Sequence, residues 1–268
     1  IRAAYDSDEN FLVDNFAGEG LSGGTENTFL GPNAGRCNTS GSENIFIGKH
    51  SGRNNSTGTS NVFLGQCAGC RTTTGQNNTY IGQGAGFGNL TGNNNISIGQ
   101  SAGCTSTASN QNIFLGNNAG RDTTSGQYNQ FIGGNAGCLN TTGLRNVYIG
   151  VNAGACAYDN EGSVFIGRNV GLGATNSSNF NIALGTCAFK FASGATNNFI
   201  AGQCAATASA GTPFSGCGNV FIGLSAGKIT STGQGNVFLG NNAGLSNTSG
   251  SNNFFAGKST GRSNTTGS

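Results

Sequence analysis

The chain is short of charge. Only 8% of its 268 residues are Asp, Glu, Lys or Arg, against about a quarter in ordinary soluble domains. A formal net charge of +2 lacks the basic footprint that phosphate backbones require, which argues against nucleic acid as a partner. No apolar run approaches the length of a membrane span, so membrane insertion is not expected. Methionine and tryptophan are absent and there is one histidine. A first residue Ile1 with no methionine anywhere suggests a processed product or a piece of something longer, and no signal peptide is visible. Few charges with abundant Gly, Asn, Ser and Thr commonly mark disorder. Disordered chains, however, carry high net charge and few aromatics, whereas this one has 18 Phe and 5 Tyr.

A regular repeat accounts for the bias better. The stretch Asn236–Asn252, NVFLGNNAGLSNTSGSN, nearly duplicates Asn27–Glu43, NTFLGPNAGRCNTSGSE. With the Asn of N-x-F-[IL]-G-x-x-A-G as position 1, copies start at Asn10, Asn27, Asn44, Asn61, Asn78, Asn95, Asn112, Asn129, Asn146 and Ser163, each 17 residues on. After one extra residue the series resumes at Asn181 and Asn198, and after four more at Asn219, Asn236 and Asn253. The irregular stretches 155–163, 172–180 and 206–218 read as loops, which tolerate insertion by bulging outward.

Within the unit, position 4 is aliphatic or Ala in every copy, which predicts an inward column of Leu30, Ile47, Leu64, Ile81, Ile98, Leu115, Ile132, Ile149, Ile166, Leu184, Ile222 and Leu239. Position 3 then faces outward. It is aromatic in eleven copies, Phe29, Phe46, Phe63, Tyr80, Phe114, Phe131, Tyr148, Phe165, Phe221, Phe238 and Phe255. So long an aromatic stripe exceeds what soluble monomers expose and reads as an oligomer interface. The opposite parity, aromatics inside and aliphatics covered by another segment, stays open, because three consecutive apolar positions fit a strand buried on both faces. Either way one apolar face is left for self-association. Gly at positions 5 and 9 reads as corners, and the N-T-T-G tail as a second, polar strand and turn.

A 17-residue unit cannot bury its own hydrophobic face, but stacked copies can. The expected fold is therefore all-β: a parallel β-solenoid, a flattened β-roll of about fifteen 17-residue coils over residues 10–268, with like positions about 4.8 Å apart. An inward Asn at position 1 would stack into an amide ladder. Hexapeptide-type left-handed helices would want aliphatics at positions 10 and 16. Calcium-binding rolls would want Asp in every coil. Residues 1–9, with the acidic YDSDEN, read as an N-terminal extension or cap. An open coil end exposes unpaired backbone, so end-to-end continuation is expected.

The string N-V-F-I-G-x-N-A-G resembles the repeats of trimeric autotransporter adhesin heads. With its N-T-T-G-S-N tail the unit resembles still more closely the Asn/Gly-rich repeats of phage long tail fibres and related surface fibres. The resemblance runs from about Asn10 to Ser268. It implies an extracellular fibre, a shaft or self-assembling filament, whose partner is itself; chain number is left open by a 17-residue unit with Phe where the adhesin heads place Ala.

No cofactor, metal or enzymatic role is expected. The nine cysteines lack a paired zinc pattern, CAGC at 67–70 having no matching partner. Cys187 and Cys204 share position 7 of successive coils, within disulfide reach. Cys70, Cys104 and Cys138 share position 10 in alternate coils, too far apart to join. His50 reads as a surface turn residue; Asp122, Asp159 and Glu161 fall within three coils of one another, but Asp159 and Glu161 read as ordinary loop acids. Arg36, Arg53, Arg121, Arg262 and Lys228 form a sparse basic line. Binding of cell-surface glycans along the Asn/Thr/Arg faces is the alternative function. Ice binding ranks below it, because Thr positions wander.

Overall fold

The computed structural model describes residues 3–175, 177–209 and 211–267. The chain divides into two compact units, Ile1–Asn129 and Gln130–Ser268, each a parallel β-solenoid. In the first, every repeat contributes one short strand: β2 (Phe11–Val13), β3 (Thr28–Leu30), β4 (Ile45–Ile47), β5 (Val62–Leu64), β6 (Thr79–Ile81), β7 (Ile96–Ile98) and β8 (Ile113–Leu115). These follow β1 (Ala3–Tyr5). Like positions pair in parallel, Phe29 with Phe46 and Phe46 with Phe63. The second unit repeats the pattern in β9 (Gln130–Ile132), β10 (Val147–Ile149), β11 (Val164–Ile166), β12 (Ile182–Leu184), β13 (Phe199–Ala201), β14 (Val220–Ile222), β15 (Val237–Leu239) and β16 (Phe254–Ala256). Register survives the insertion before Asn219, since Phe199 still pairs with Val220. Among the described residues no helix is long and apolar enough to cross a membrane.

The parity is the reverse of the expected one. The aromatic column points inward: Phe29, Phe46, Phe63, Phe131, Tyr148, Phe165, Phe221 and Phe238 are fully buried, Tyr80 and Phe114 all but so, and only Phe255 in the last strand is half-buried. The aliphatic column points outward. Ile47, Ile98, Ile166 and Ile222 are exposed, and Leu30, Leu64, Ile81, Leu115, Ile132, Ile149, Leu184 and Leu239 are half-buried. Alternation lets a three-residue strand send one side chain in and two out. The large apolar side chain of each turn is best a flat ring, which stacks on the next at the interstrand spacing. Phe29, Phe46, Phe63 and Tyr80 do so with centroids 4.8–4.9 Å apart and planes within 10°.

The ring dictates the corner opposite. Gly52, at position 9 with φ +55°, lies so close to the Phe46 ring that a Cβ there would sit 2.5 Å from it. One turn inverts the arrangement: Ala183 stands at position 3 and Phe189 at position 9, and both are fully buried. The insertion also departs from expectation, because it does not only bulge outward. Phe214, within 206–218, is fully buried and packs between Phe189 and Phe221, with centroids 5.7 and 6.1 Å away.

The Asn at position 1 builds the expected ladder. Asn44 donates its backbone N–H and its Nδ2 to Asn27 Oδ1, at 3.0 and 3.1 Å, and its Nδ2 also donates to the Gly58 carbonyl at 2.9 Å. Asn61 does the same one turn on. Each amide thus satisfies both its ends in a buried column, where an unmade bond would cost about 1–3 kcal/mol. The polar side of the turn carries no regular strand, yet it is bonded rung to rung: the Thr39 backbone N–H and hydroxyl both donate to the Ser56 carbonyl, and Ser56 repeats this on Thr73.

At the start of the ladder a carboxylate replaces the amide. Asp6 accepts from the Asn10 backbone N–H at 2.9 Å and from Asn10 Nδ2 at 3.0 Å, while β1 lies antiparallel on β2. The Asn10 backbone N–H, together with bonds from the Asn10 amide and Asp8, holds the Asp6 carboxyl below its ordinary 3.8. A depressed carboxylate pKa contributes stability that is present above the unfolded value and is lost as pH falls through the folded one. Asp6→Asn keeps an acceptor without the charge. Thermal melting should show wild type ahead of Asp6→Asn at pH 7 and the gap closing below about pH 4; a gap independent of pH would refute the cap.

Candidate functional site

With the rings inside, positions 2 and 4 form a two-column outward sheet face. In the first unit it comprises Thr28, Ile45, Val62, Thr79, Ile96 and Ile113 beside Leu30, Ile47, Leu64, Ile81, Ile98 and Leu115. Neither column holds a charged residue in any copy. Ile45, Ile47, Ile96 and Ile98 are 38–41% exposed. Ten of the twelve side chains are aliphatic and two are Thr, so the face is a mainly apolar patch on the scale, about 300–600 Å², of the largest that monomers expose. The exposed aliphatics are still consistent with strand formation, since β-branched neighbours on adjacent strands pack against one another along the sheet.

The acidic residues singled out in the sequence each have a separate partner. Asp122 is paired with Arg121 at 2.7 Å, Glu161 with Arg145 at 2.8 Å, and Asp159 accepts from the Ser177 N–H and hydroxyl at 3.0 and 2.9 Å. Arg36 is paired with Glu19 at 2.7 Å and lies over the Phe16 ring. His50 takes φ +61° at position 7, a left-handed corner that Asn occupies in many turns. Burial, then the charges of Lys49 and Arg53, lower its pKa. Among the described residues no three His, Cys, Asp or Glu side chains lie close enough together to hold a metal ion.

Comparison with protein-family models, curated proteins and solved structures found no match.

Cys187 and Cys204 stand at position 7 of successive turns, with φ +57° and +55°, and both are free thiols. The expected bridge between them is not formed. Cys67 and Cys70 close a single turn in which the Cys70 N–H donates to the Cys67 carbonyl at 3.3 Å. Burial, then the neighbouring Cys67, pushes the Cys70 thiol up to about 11, which keeps it protonated and a weak nucleophile at neutral pH.

Position 2 shares the outward face with position 4, as in Ile45 and Ile47 or Ile96 and Ile98, all exposed. The aromatic residues expected at an interface are interior, and the outward face carries mainly aliphatic side chains instead.

Proposed function

We propose that the chain is a structural subunit of an extracellular fibre, a stiff repeat segment that associates with further copies of itself and serves reach, attachment and display. The uncharged, mainly aliphatic double column on the outer sheet face carries the proposal. A face of that size left in water is costly, at about 25 cal/mol per Å², and its relief repeats once per turn, a spacing that a second copy shares. Ladders inside support the mechanical role: Asn rungs join Asn27, Asn44 and Asn61 from turn to turn, and stacked rings do the same from Phe29 to Tyr80. The resemblance of the repeat to surface and tail fibres points the same way.

The test is assembly of the full chain. Sedimentation velocity and negative-stain microscopy should show multimers, and Ile47→Lys with Ile98→Lys should release smaller species, because both side chains are exposed and their replacement leaves the interior untouched. Wild-type chains that sediment as monomers at micromolar concentration would overturn the proposal.

A further inference from the structure

One turn of the first unit departs from all the others on its outer corner. In Gly82–Asn89, GQGAGFGN, position 7 is Gly84, the only glycine at a position otherwise filled by Asn, Ser, Cys, His or Phe. Position 10 is Phe87, the only aromatic there, where the other turns carry Glu, Arg, Lys, Cys, Ala, Leu or Thr. The missing side chain opens a notch. A Cβ built on Gly84 (φ +65°) would meet nothing nearer than Ser101 Oγ, at 3.8 Å. The Phe87 N–H donates to the Gly84 carbonyl at 3.3 Å, which places Phe87 in the same corner as the gap. Phe87 is half-buried. Above and below, position 6 is Gln in three successive turns, Gln66, Gln83 and Gln100. These amides, Phe87, the Ser101 hydroxyl and two cysteine side chains line a cavity of ≈ 320 Å³.

We propose that this notch is a binding site for a single sugar ring of a neutral glycan. Three features of the lining select that chemistry. No charged side chain lines the notch, which disfavours anions and cations. Each Gln amide both donates and accepts, matching the dual character of a sugar hydroxyl. Phe87 supplies a flat apolar wall for the C–H face of a pyranose, as aromatic walls do for ligands that are apolar on one side and polar on the other. A volume at the lower end of small-molecule clefts, about 300–1,000 Å³, suits one ring. The site is independent of self-association, because it lies at corner positions 6, 7 and 10 and leaves columns 2 and 4 uncovered.

The consensus residues themselves provide the test. Gly84→Asn restores the residue that occupies the same left-handed corner at Asn33 (φ 61°) and Asn118 (φ 54°), so the backbone accepts it while its side chain fills the notch. Phe87→Arg restores the residue found at Arg36, Arg53 and Arg121. Saturation-transfer difference NMR on the full chain is run with methyl β-D-glucoside, methyl β-D-galactoside and methyl β-D-N-acetylglucosaminide, with mannitol as the ring-less control. Expected is transfer to the ring protons of at least one glycoside and none to mannitol. Both variants, with melting curves like wild type, should weaken binding about tenfold or more, the loss of ~1.4 kcal/mol. No transfer to any glycoside, equal transfer to mannitol, or undiminished binding by Gly84→Asn would overturn the site.

Discussion

Replacing Gly65 by alanine is expected to destabilise its turn by about 3–5 kcal/mol, the sum of backbone strain and overpacking. Gly65 sits at position 5 with φ +133°, and a Cβ there would lie 2.7 Å from the Gly82 carbonyl oxygen and 2.8 Å from its carbon. Those are backbone atoms of the next turn, held by the Gly82 N–H donating to the Leu64 carbonyl at 2.8 Å. The clash cannot be relieved by a rotamer change. It is relieved only by separating two turns, which breaks rungs of both ladders. The first repeat shows the distortion that a side chain demands: Asp14, the one non-glycine at this position, takes φ +95°, whereas the glycines span +121° to +146°. Gly134→Ala is the control, since nothing lies within 4 Å of its added Cβ, and its effect should stay within about 0.5 kcal/mol. Stacked repeats open locally, so the sensitive measurement is amide hydrogen exchange of Ala-for-Gly65 chains around Gly82 and Leu64, with urea melting alongside. Exchange and melting unchanged from wild type would show that position 5 tolerates a Cβ and that the turns are not in the contact described.

The period, the parallel stacking and the Asn ladder were legible because each is stated once per turn and repeated. Asn at position 1 and Gly at position 5 recur with a spacing that only stacking explains. Parity was not legible from the strand itself, because Val62, Phe63 and Leu64 are all apolar and alternation has nothing to act on. The absence of polar residues from position 4 was taken to mean burial. It reflects instead side chains that pack against one another between neighbouring strands on the outer face, and Ala183 at position 3 is compensated by Phe189 within its own turn. The deciding signal lay in a pair of positions. Where position 3 is aromatic, position 9 is Gly, and where position 3 becomes Ala183, position 9 becomes Phe189. Two positions that exchange one ring must face the same space. The notch beside Phe87 was equally present in the letters, as a glycine and a phenylalanine out of pattern in one copy, but a consensus averages such departures away.

That exchange of rings yields the second large effect. Phe189 occupies a left-handed corner, φ +53°, and its ring lies 5.7 Å from Phe165, tilted by 45°, instead of stacking flat. Phe189→Gly alone removes a fully buried ring with Ala183 opposite, and should cost about 3–5 kcal/mol through the cavity it leaves. Ala183→Phe alone places a second ring where Phe189 already lies. A Cβ at position 9 in ordinary turns would come within 2.3–2.5 Å of the ring at position 3, as Gly171 does to Phe165 and Gly52 to Phe46, so the overpacked turn should lose about 1–3 kcal/mol or more. Both substitutions together rebuild the common arrangement, aromatic at position 3 and glycine at position 9, and also relieve the left-handed strain of a bulky residue, about 1–3 kcal/mol. The double variant should therefore match or exceed wild type in urea denaturation, with a coupling energy at or above the ~3 kcal/mol upper range for contacting pairs. Additive losses would mean that the two side chains do not share one space. In that case the Phe189 ring would not be the substitute for the missing member of the stack, and the inward parity would lose its strongest support in this turn.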